Sequence, residues 1–436
     1  MNPLKRLLQL IKLERQEITS IYFFAIMSGL IQLSLPVGVQ AIIGLVLGAS
    51  MVVSIYVLIG LVVAGVLVVG IFRMNQMKII ETIQQKIFTR NAFEFAEKIP
   101  RLDLKKADNY YLPEKVNRFF DTLNIQKGLS KVLLDIPVAS IQVLFGTLLL
   151  SLYHPVFILL GLMLFVVLWL ILKFTSPHGV ATSLQESKYK YAVVAWLEEV
   201  ARVVRSFKFS PGSPLNLQKT DGNVVGYLQA RTTHFNVLLL QYKALIGFKV
   251  LITAGMLLIG TNLLVEQKLN IGEFIAAEIV ILTIINAVAK LIGSLDSVYD
   301  IITGLEKLAT VTESPLEKEG TLTFQNGITG LAIEASGLSF EYPDGRQALK
   351  NVSFSFPANS TICISGADGS GKTTLLKILT GIYSDFSGSV TVNKAPLNLC
   401  RPEVLRRQSG VYLNPELVIW QTNNPRVRRR AGRGLA

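Results

Sequence analysis

Six long apolar stretches constrain this chain more than any other feature. They lie at about 19–48, 51–72, 130–152, 156–174, 244–265 and 272–293. Each is near or above the roughly 20 residues that an α-helix needs to cross the hydrocarbon core of a bilayer. Half of the residues are hydrophobic and 17% are charged, which is too apolar for an ordinary soluble protein. The chain therefore reads as an α-helical polytopic membrane domain seated in a lipid bilayer. Pro36 is expected to kink the first span. Gln32, Gln40 and Glu278 are polar groups inside spans, where such side chains face a bundle interior or a water-filled path. For Glu278 the choice is between a substrate pathway and the polar seam of the bundle.

The loops between spans set the orientation. Those joining spans one and two, three and four, and five and six are short. The segments 73–131 and 175–243 are long and rich in Lys and Arg. From Arg73 to Lys131 there are twelve Lys and Arg against seven Asp and Glu. Positive charge collects on the cytoplasmic side, so the long loops and both termini are expected in the cytoplasm of a multi-pass protein of the inner (plasma) membrane. The net charge of +13 is read as this topology, and no nucleic-acid partner is expected. The long loops have few helix breakers over Gln76 to Lys98 and Ser183 to Phe207. They are predicted to carry the spans onward as helices, turning near 100–111 and 196–205. Glu198, Glu199, Arg202 and Arg205 are spaced to support a helix, or form a solvated charged face.

Before the first span, residues 3–17 place Leu4, Leu7, Leu8 and Ile11 on one helical face. This is an amphipathic helix on the membrane surface or the solvated start of the span. No cleavable signal peptide is visible, because the first apolar run is too long for an h-region. Cys363 and Cys400 offer neither a disulfide framework nor a metal site, and Cys363 is expected as a small buried hydrophobe. His154, His178 and His234 are scattered.

Beyond the last span the pattern changes. An amphipathic helix is expected over Ser294 to Val311, and Glu313 to Gly320 breaks it. From Ile328 short alternating runs mark a soluble α/β domain. The expected organisation is an amphipathic helix at 1–18, a six-span domain at 19–312, a linker at 313–327, this α/β domain at 328–420, which the resemblance described below makes a partial nucleotide domain, and a basic tail at 421–436. Inside the α/β part, Gly366-Ala367-Asp368-Gly369-Ser370-Gly371-Lys372-Thr373 fits the phosphate-binding loop G-x-x-x-x-G-K-[ST]. Thr361 to Ser365 before it reads as a short buried strand, and Lys372 to Leu379 after it reads as a helix. The glycines turn backbone N–H groups inward on phosphate oxygens, and the helix adds its positive N-terminal end. Lys372 is expected on the β- and γ-phosphates of ATP and the Thr373 hydroxyl on Mg²⁺. Asp368 would repel phosphates unless its side chain faces solvent or caps the turn.

Six spans, two long basic loops and a following phosphate loop resemble a half-transporter of the ABC exporter family. Phe340-Glu341-Tyr342-Pro343 looks like the family's A-loop, which would make Tyr342 the platform on which adenine stacks. Leu349 to Phe354, Gly381-Ile382-Tyr383, Ser387 to Val390 and Leu405 to Gln408 match the family's run. Leu305-Glu306-Lys307 resembles the helix that leaves the sixth span. The resemblance implies a nucleotide site of Tyr342 and 366–374, including Thr374, a homodimer or a heterodimer with another ABC half-transporter, and coupling helices at the two turns. It also implies ATP binding and hydrolysis coupled to transport of an unidentified substrate.

The match then stops. Asn414 stands where the family has a Q-loop glutamine, and 64 residues follow Lys372. They contain no signature run, no Walker B aspartate, no catalytic Glu and no switch His. Residues 421–436 carry five arginines and no acid. The alternative reading is a truncated, non-catalytic product that at most binds nucleotide, with the phosphate-loop strand lacking neighbours and exposing apolar surface.

Overall fold

The computed structural model describes residues 3–48, 53–107, 112–209, 214–322 and 330–411. Asn414, the tail at 421–436 and part of the turn at 100–111 lie outside the described residues. The described residues divide into two compact units, one within 1–95 and 114–312, the other within 96–113 and 313–436.

The first unit is helical. Its elements begin with α1 (Pro3–Leu13), α2 (Arg15–Gln32), α3 (Ser34–Leu47) and α4 (Val53–Lys98). The short α5 (Leu104–Ala107) belongs to the second unit, and α6 (Leu112–Asn117) leads into α7 (Asp121–Tyr153). Then come α8 (Val156–Arg202), α9 (Val204–Lys208), α10 (Leu215–Val265), α11 (Ile271–Gly293) and α12 (Leu295–Thr312). Six helical stretches are long and apolar enough to cross a membrane. They run on past the apolar runs, as the scarcity of breakers in 76–98 and 183–207 predicts.

Three details follow from local chemistry. The first span breaks at Leu33, between α2 and α3. Pro36 has no N–H for the Gln32 carbonyl, which weakens the helix at this point. Helix α8 ends at Arg202 and breaks at Val203, within the expected 196–205, before the short α9, and Glu199 pairs with Arg202 in its last turn. A capping box of Asn270 and Glu273 starts α11, which satisfies two orphan backbone donors at that end.

The core of this unit lies between α7, α8, α10 and α11. Ala277, Val280, Ile284 and Val288 on α11 recur at helical spacing and are buried against Val143, Phe157 and Ile252. Where the helices pass beyond the apolar runs, polar links replace apolar ones. Gln241 Nε2 donates to Thr175 Oγ1 at 2.8 Å and to Tyr299 Oη at 2.7 Å, joining α10, α8 and α12. Tyr191 Oη donates to Asp121 Oδ2 at 2.6 Å. The amphipathic α1 packs against α12 with Arg6 paired to Glu306, while Leu8 and Leu13 remain exposed. By contrast, the apolar half of α4 is open on most sides, with Val53 and Tyr56 75% and 77% exposed.

The second unit holds an antiparallel sheet in the order β2-β1-β3-β4, from β1 (Ile333–Glu341), β2 (Gln347–Phe356), β3 (Ser387–Val392) and β4 (Ala395–Pro396). Ile333 pairs with Phe356 on one side and with Val392 on the other. Helices α13 (Lys372–Leu379) and α14 (Pro402–Gln408) complete it. Leu338, Phe340, Ile378, Tyr383 and Val392 form its core.

Two expectations need correction here. Residues 361–365 are not a buried strand. They carry no strand pairing and are exposed, with Ile362 and Ile364 at 40% and 36%. A strand needs a neighbour, and among the described residues none lies beside this one. Cys363 is consequently exposed. Cys400 is the buried cysteine, and burial pushes its thiol up.

Residues 313–322 are bound into the second unit rather than hanging free. Leu102 bridges to Leu316, Asp103 N donates to Pro315 O at 3.0 Å and Glu317 N to Arg101 O at 2.8 Å. Arg406 grips Glu317 with two nitrogens, at 3.1 and 2.6 Å. Leu104 packs into the core beside Phe340, and Lys105 Nζ lies 4.8 Å from that ring while donating to Asp385 O at 2.9 Å.

Candidate nucleotide site

The candidate site lies wholly in the second unit, where the hairpin between β1 and β2 meets the loop before α13. The hairpin closes with Tyr342 N donating to Arg346 O and Gly345 N donating to Tyr342 O, both at 3.0 Å. Gly345 sits at φ 82°, a conformation that only glycine adopts without cost. That turn places Tyr342 at one wall of a cavity of about 280 Å³. Tyr342 Oη and Thr374 Oγ1 share a hydrogen bond of 2.9 Å, and Thr374 is buried.

The opposite wall is the loop itself. Gly369 and Gly371 take φ of 80° and 90°. A Cβ at Gly371 would fall on the Ala348 carbonyl, and one at Gly366 would meet Ser370 Oγ at 2.8 Å. The backbone is wound too tightly for side chains there, which is the condition for N–H groups to converge on an anion. Helix α13 begins at Lys372 directly after Gly371. Its free first-turn N–H groups add positive potential at the same place. Lys372 Nζ donates to Gly366 O and Ala367 O, each at 2.8 Å. The ammonium is thus already held at the mouth of the loop by two weak neutral acceptors that a phosphate oxygen outcompetes. Asp368 is exposed and lies at the edge of the cavity, and Thr373 is exposed on the first turn of α13.

Of the residues singled out in the sequence, the cavity is lined by Tyr342 and by Asp368 through Thr374. Gly366 and Ala367 do not line it but hold Lys372 at its edge. The structure adds Arg346, whose guanidinium lies 4.7 Å from the Tyr342 ring centroid. Sequence reasoning passed over it. Its signal is an Arg four residues after the aromatic, on the far side of a tight turn. A cation over that ring face is a favourable contact.

Such a site defines a nucleotide-binding unit of the P-loop kind joined to six membrane-spanning helices. Comparison with known proteins agrees. A profile described as "ABC transporter" matches residues 349–427. The alpha-hemolysin translocation ATP-binding protein HlyB of Escherichia coli O157:H7 is 28% identical over 229 residues, which are 52% of this chain and 32% of that one. The cyclolysin secretion/processing ATP-binding protein CyaB of Bordetella pertussis is 25% identical over 220 residues, 50% of this chain and 31% of that one. The uncharacterized ABC transporter ATP-binding protein YfiB of Bacillus subtilis is 39% identical over 110 residues, 25% of this chain and 18% of that one. A solved structure of a bacterial Atm1-family ABC exporter with ATP bound shares the fold, with a TM-score of 0.77 at 15% identity, covering 90% of this chain and 70% of that one. Residues 349–427 thus carry the ABC transporter match, and the chain as a whole shares the fold of an ABC exporter, with part of a nucleotide-binding domain. The matched region spans about a third of the length of HlyB and CyaB.

Proposed function

We propose that this chain is the subunit of an ABC-type exporter that couples ATP binding and hydrolysis to transport across the inner membrane, working as a homodimer or with a second ABC half-transporter. The single observation behind this reading is the phosphate loop of 366–373 wound beside Tyr342 on one cavity. In it Tyr342 stacks the adenine, the loop N–H groups from Gly369 to Thr373 take the β-phosphate, and Lys372 leaves the Gly366 and Ala367 carbonyls for phosphate oxygens. Thr373 and Thr374 stand at the start of α13, with the Thr373 hydroxyl free to reach a Mg²⁺ carried by the nucleotide. The metal and the Lys372 ammonium together would supply the charge neutralisation that phosphoryl transfer needs. Photolabelling of the full chain with 2-azido-ATP tests this. Insertion is expected in the peptide around Tyr342, suppressed by excess ATP or ADP and far less by AMP, which brings no β-phosphate. Labelling that excess ATP leaves untouched would overturn the reading.

The orientation follows from the charge contrast between loops, with both termini in the cytoplasm. On a background of Cys363→Ser and Cys400→Ser, cysteines at His154 and at Gln267, in the short connections, are expected to react with an impermeant maleimide added outside cells. A cysteine at Phe209, after α9, is expected to react only after lysis. Outside labelling at Phe209 would reverse the topology.

A further inference from the structure

The membrane-spanning unit contains a charged cleft that the nucleotide chemistry does not use. It encloses about 590 Å³ between α7, α11 and the end of α2, room enough for a small polar group with its first substituents. Its lining follows helical periodicity. Lys131, Asp135 and Gln142 fall at i, i+4 and i+11 on α7, and Thr283, Asn286 and Lys290 at i, i+3 and i+7 on α11. Both sets are single faces. Two polar crossings bound the cleft. At one end Gln142 Nε2 donates to Gln32 Oε1 at 2.6 Å, and at the other Lys131 Nζ donates to Gly293 O at 2.7 Å.

The charges inside are not balanced among themselves. Lys131 and Lys290 face a single carboxylate, Asp135, leaving one positive charge in excess. Among the described residues neither Lys290 nor Asp135 has an ion-pair or hydrogen-bond partner for its side chain. Lys290 and Asp135 stand within the last and third apolar runs. Both lie near an end of their run, where an unpaired charge is retained because it meets water or a ligand. The larger cavity of about 970 Å³ beside Gln40 and Asn270 has no charged side chain, so it offers nothing to fix an ion.

We propose that this cleft binds the carboxylate or phosphate group of a singly charged anionic molecule, with Lys290 as its main partner. Lys131 stands second, and the amide N–H groups of Gln32 and Asn286 supply directed hydrogen bonds. Asp135 sets the charge limit, because a second negative charge on the ligand would sit against it. Binding follows from the cleft alone, whereas its being the cargo site rests on the exporter reading above.

The test measures binding to the full chain in uncharged maltoside micelles, with N-dodecanoylglycine as the anionic probe. Its carboxylate keeps the assay away from phosphate chemistry. Saturable binding is expected, weakened about tenfold in Lys290→Gln, the size of one charge-assisted hydrogen bond. Lys290→Arg should restore it, which excludes a merely misfolded variant. Asp135→Asn should tighten binding severalfold, a sign that loss of structure does not give. Lys372→Ala should leave it unchanged, and Lys290→Gln should leave 2-azido-ATP labelling unchanged, so the two sites fail separately. Displacement by millimolar acetate would support a small soluble anion, and resistance to acetate would support a headgroup on an amphiphile. Equal affinity in wild type and Lys290→Gln, or equal displacement by dodecyltrimethylammonium, would overturn the proposal.

Discussion

Replacing Lys372 by Ala is expected to weaken ATP binding to the full chain by about a hundredfold. A hydrogen bond to a charged group contributes roughly 1.5–3 kcal/mol, and every ~1.4 kcal/mol is tenfold in affinity. On the reading proposed above Lys372 would face two phosphates and give up only its contacts to the Gly366 and Ala367 carbonyls in exchange. The loss should be similar for ATP and ADP and nearly absent for AMP. Tyr342→Ala has a different signature. Base stacking is worth roughly 1–3 kcal/mol, so all three nucleotides should weaken alike. A fluorescent ATP analogue titrated against each variant separates the two patterns. Equal affinity of wild type and Lys372→Ala would mean that the loop is no working phosphate site.

Much of this architecture was legible in the chain. The six spans follow from length and hydropathy, and the break at Leu33 follows from Pro36. The phosphate loop was readable because its spacing encodes a backbone shape, and the left-handed φ of Gly369 and Gly371 is what that spacing demands. The strand before it was misread for a physical reason. Thr361 to Ser365 has the apolar content of a core strand, but a strand is defined by pairing, and pairing depends on residues far away in sequence. Arg346, Asp135 and Lys290 were missed because each is an ordinary charged residue until the fold shows what it faces. Lys290 and Asp135 did carry a signal, a charge inside an apolar run, which the reading confined to Glu278. Glu278 itself is half-buried and lines neither described membrane cavity.

The largest stability effect is expected at Tyr299. Its side chain is 1% exposed, the bulkiest of the fully buried side chains on α12. It sits where α8, α10 and α12 meet, past the apolar runs, so water and not lipid is the alternative to packing. A Cβ at Gly179 would fall on the Tyr299 ring, which means that α8 approaches closely only because a glycine leaves room for the aromatic. The ring stands edge-on to His234, with centroids 6.1 Å apart. Tyr299→Ala should therefore cost about 3–5 kcal/mol, the usual range for emptying an aromatic site that cannot collapse. Tyr299→Phe removes only the acceptor for Gln241 Nε2. That amide keeps Thr175 Oγ1, so the cost should be about 1 kcal/mol. Thermal unfolding of the full chain in detergent, followed by tryptophan fluorescence, ranks the variants. The order wild type, Tyr299→Phe, then Tyr299→Ala far below is the expected result. If Tyr299→Phe fell as far as Tyr299→Ala, the hydroxyl network and not ring packing would hold these three helices together.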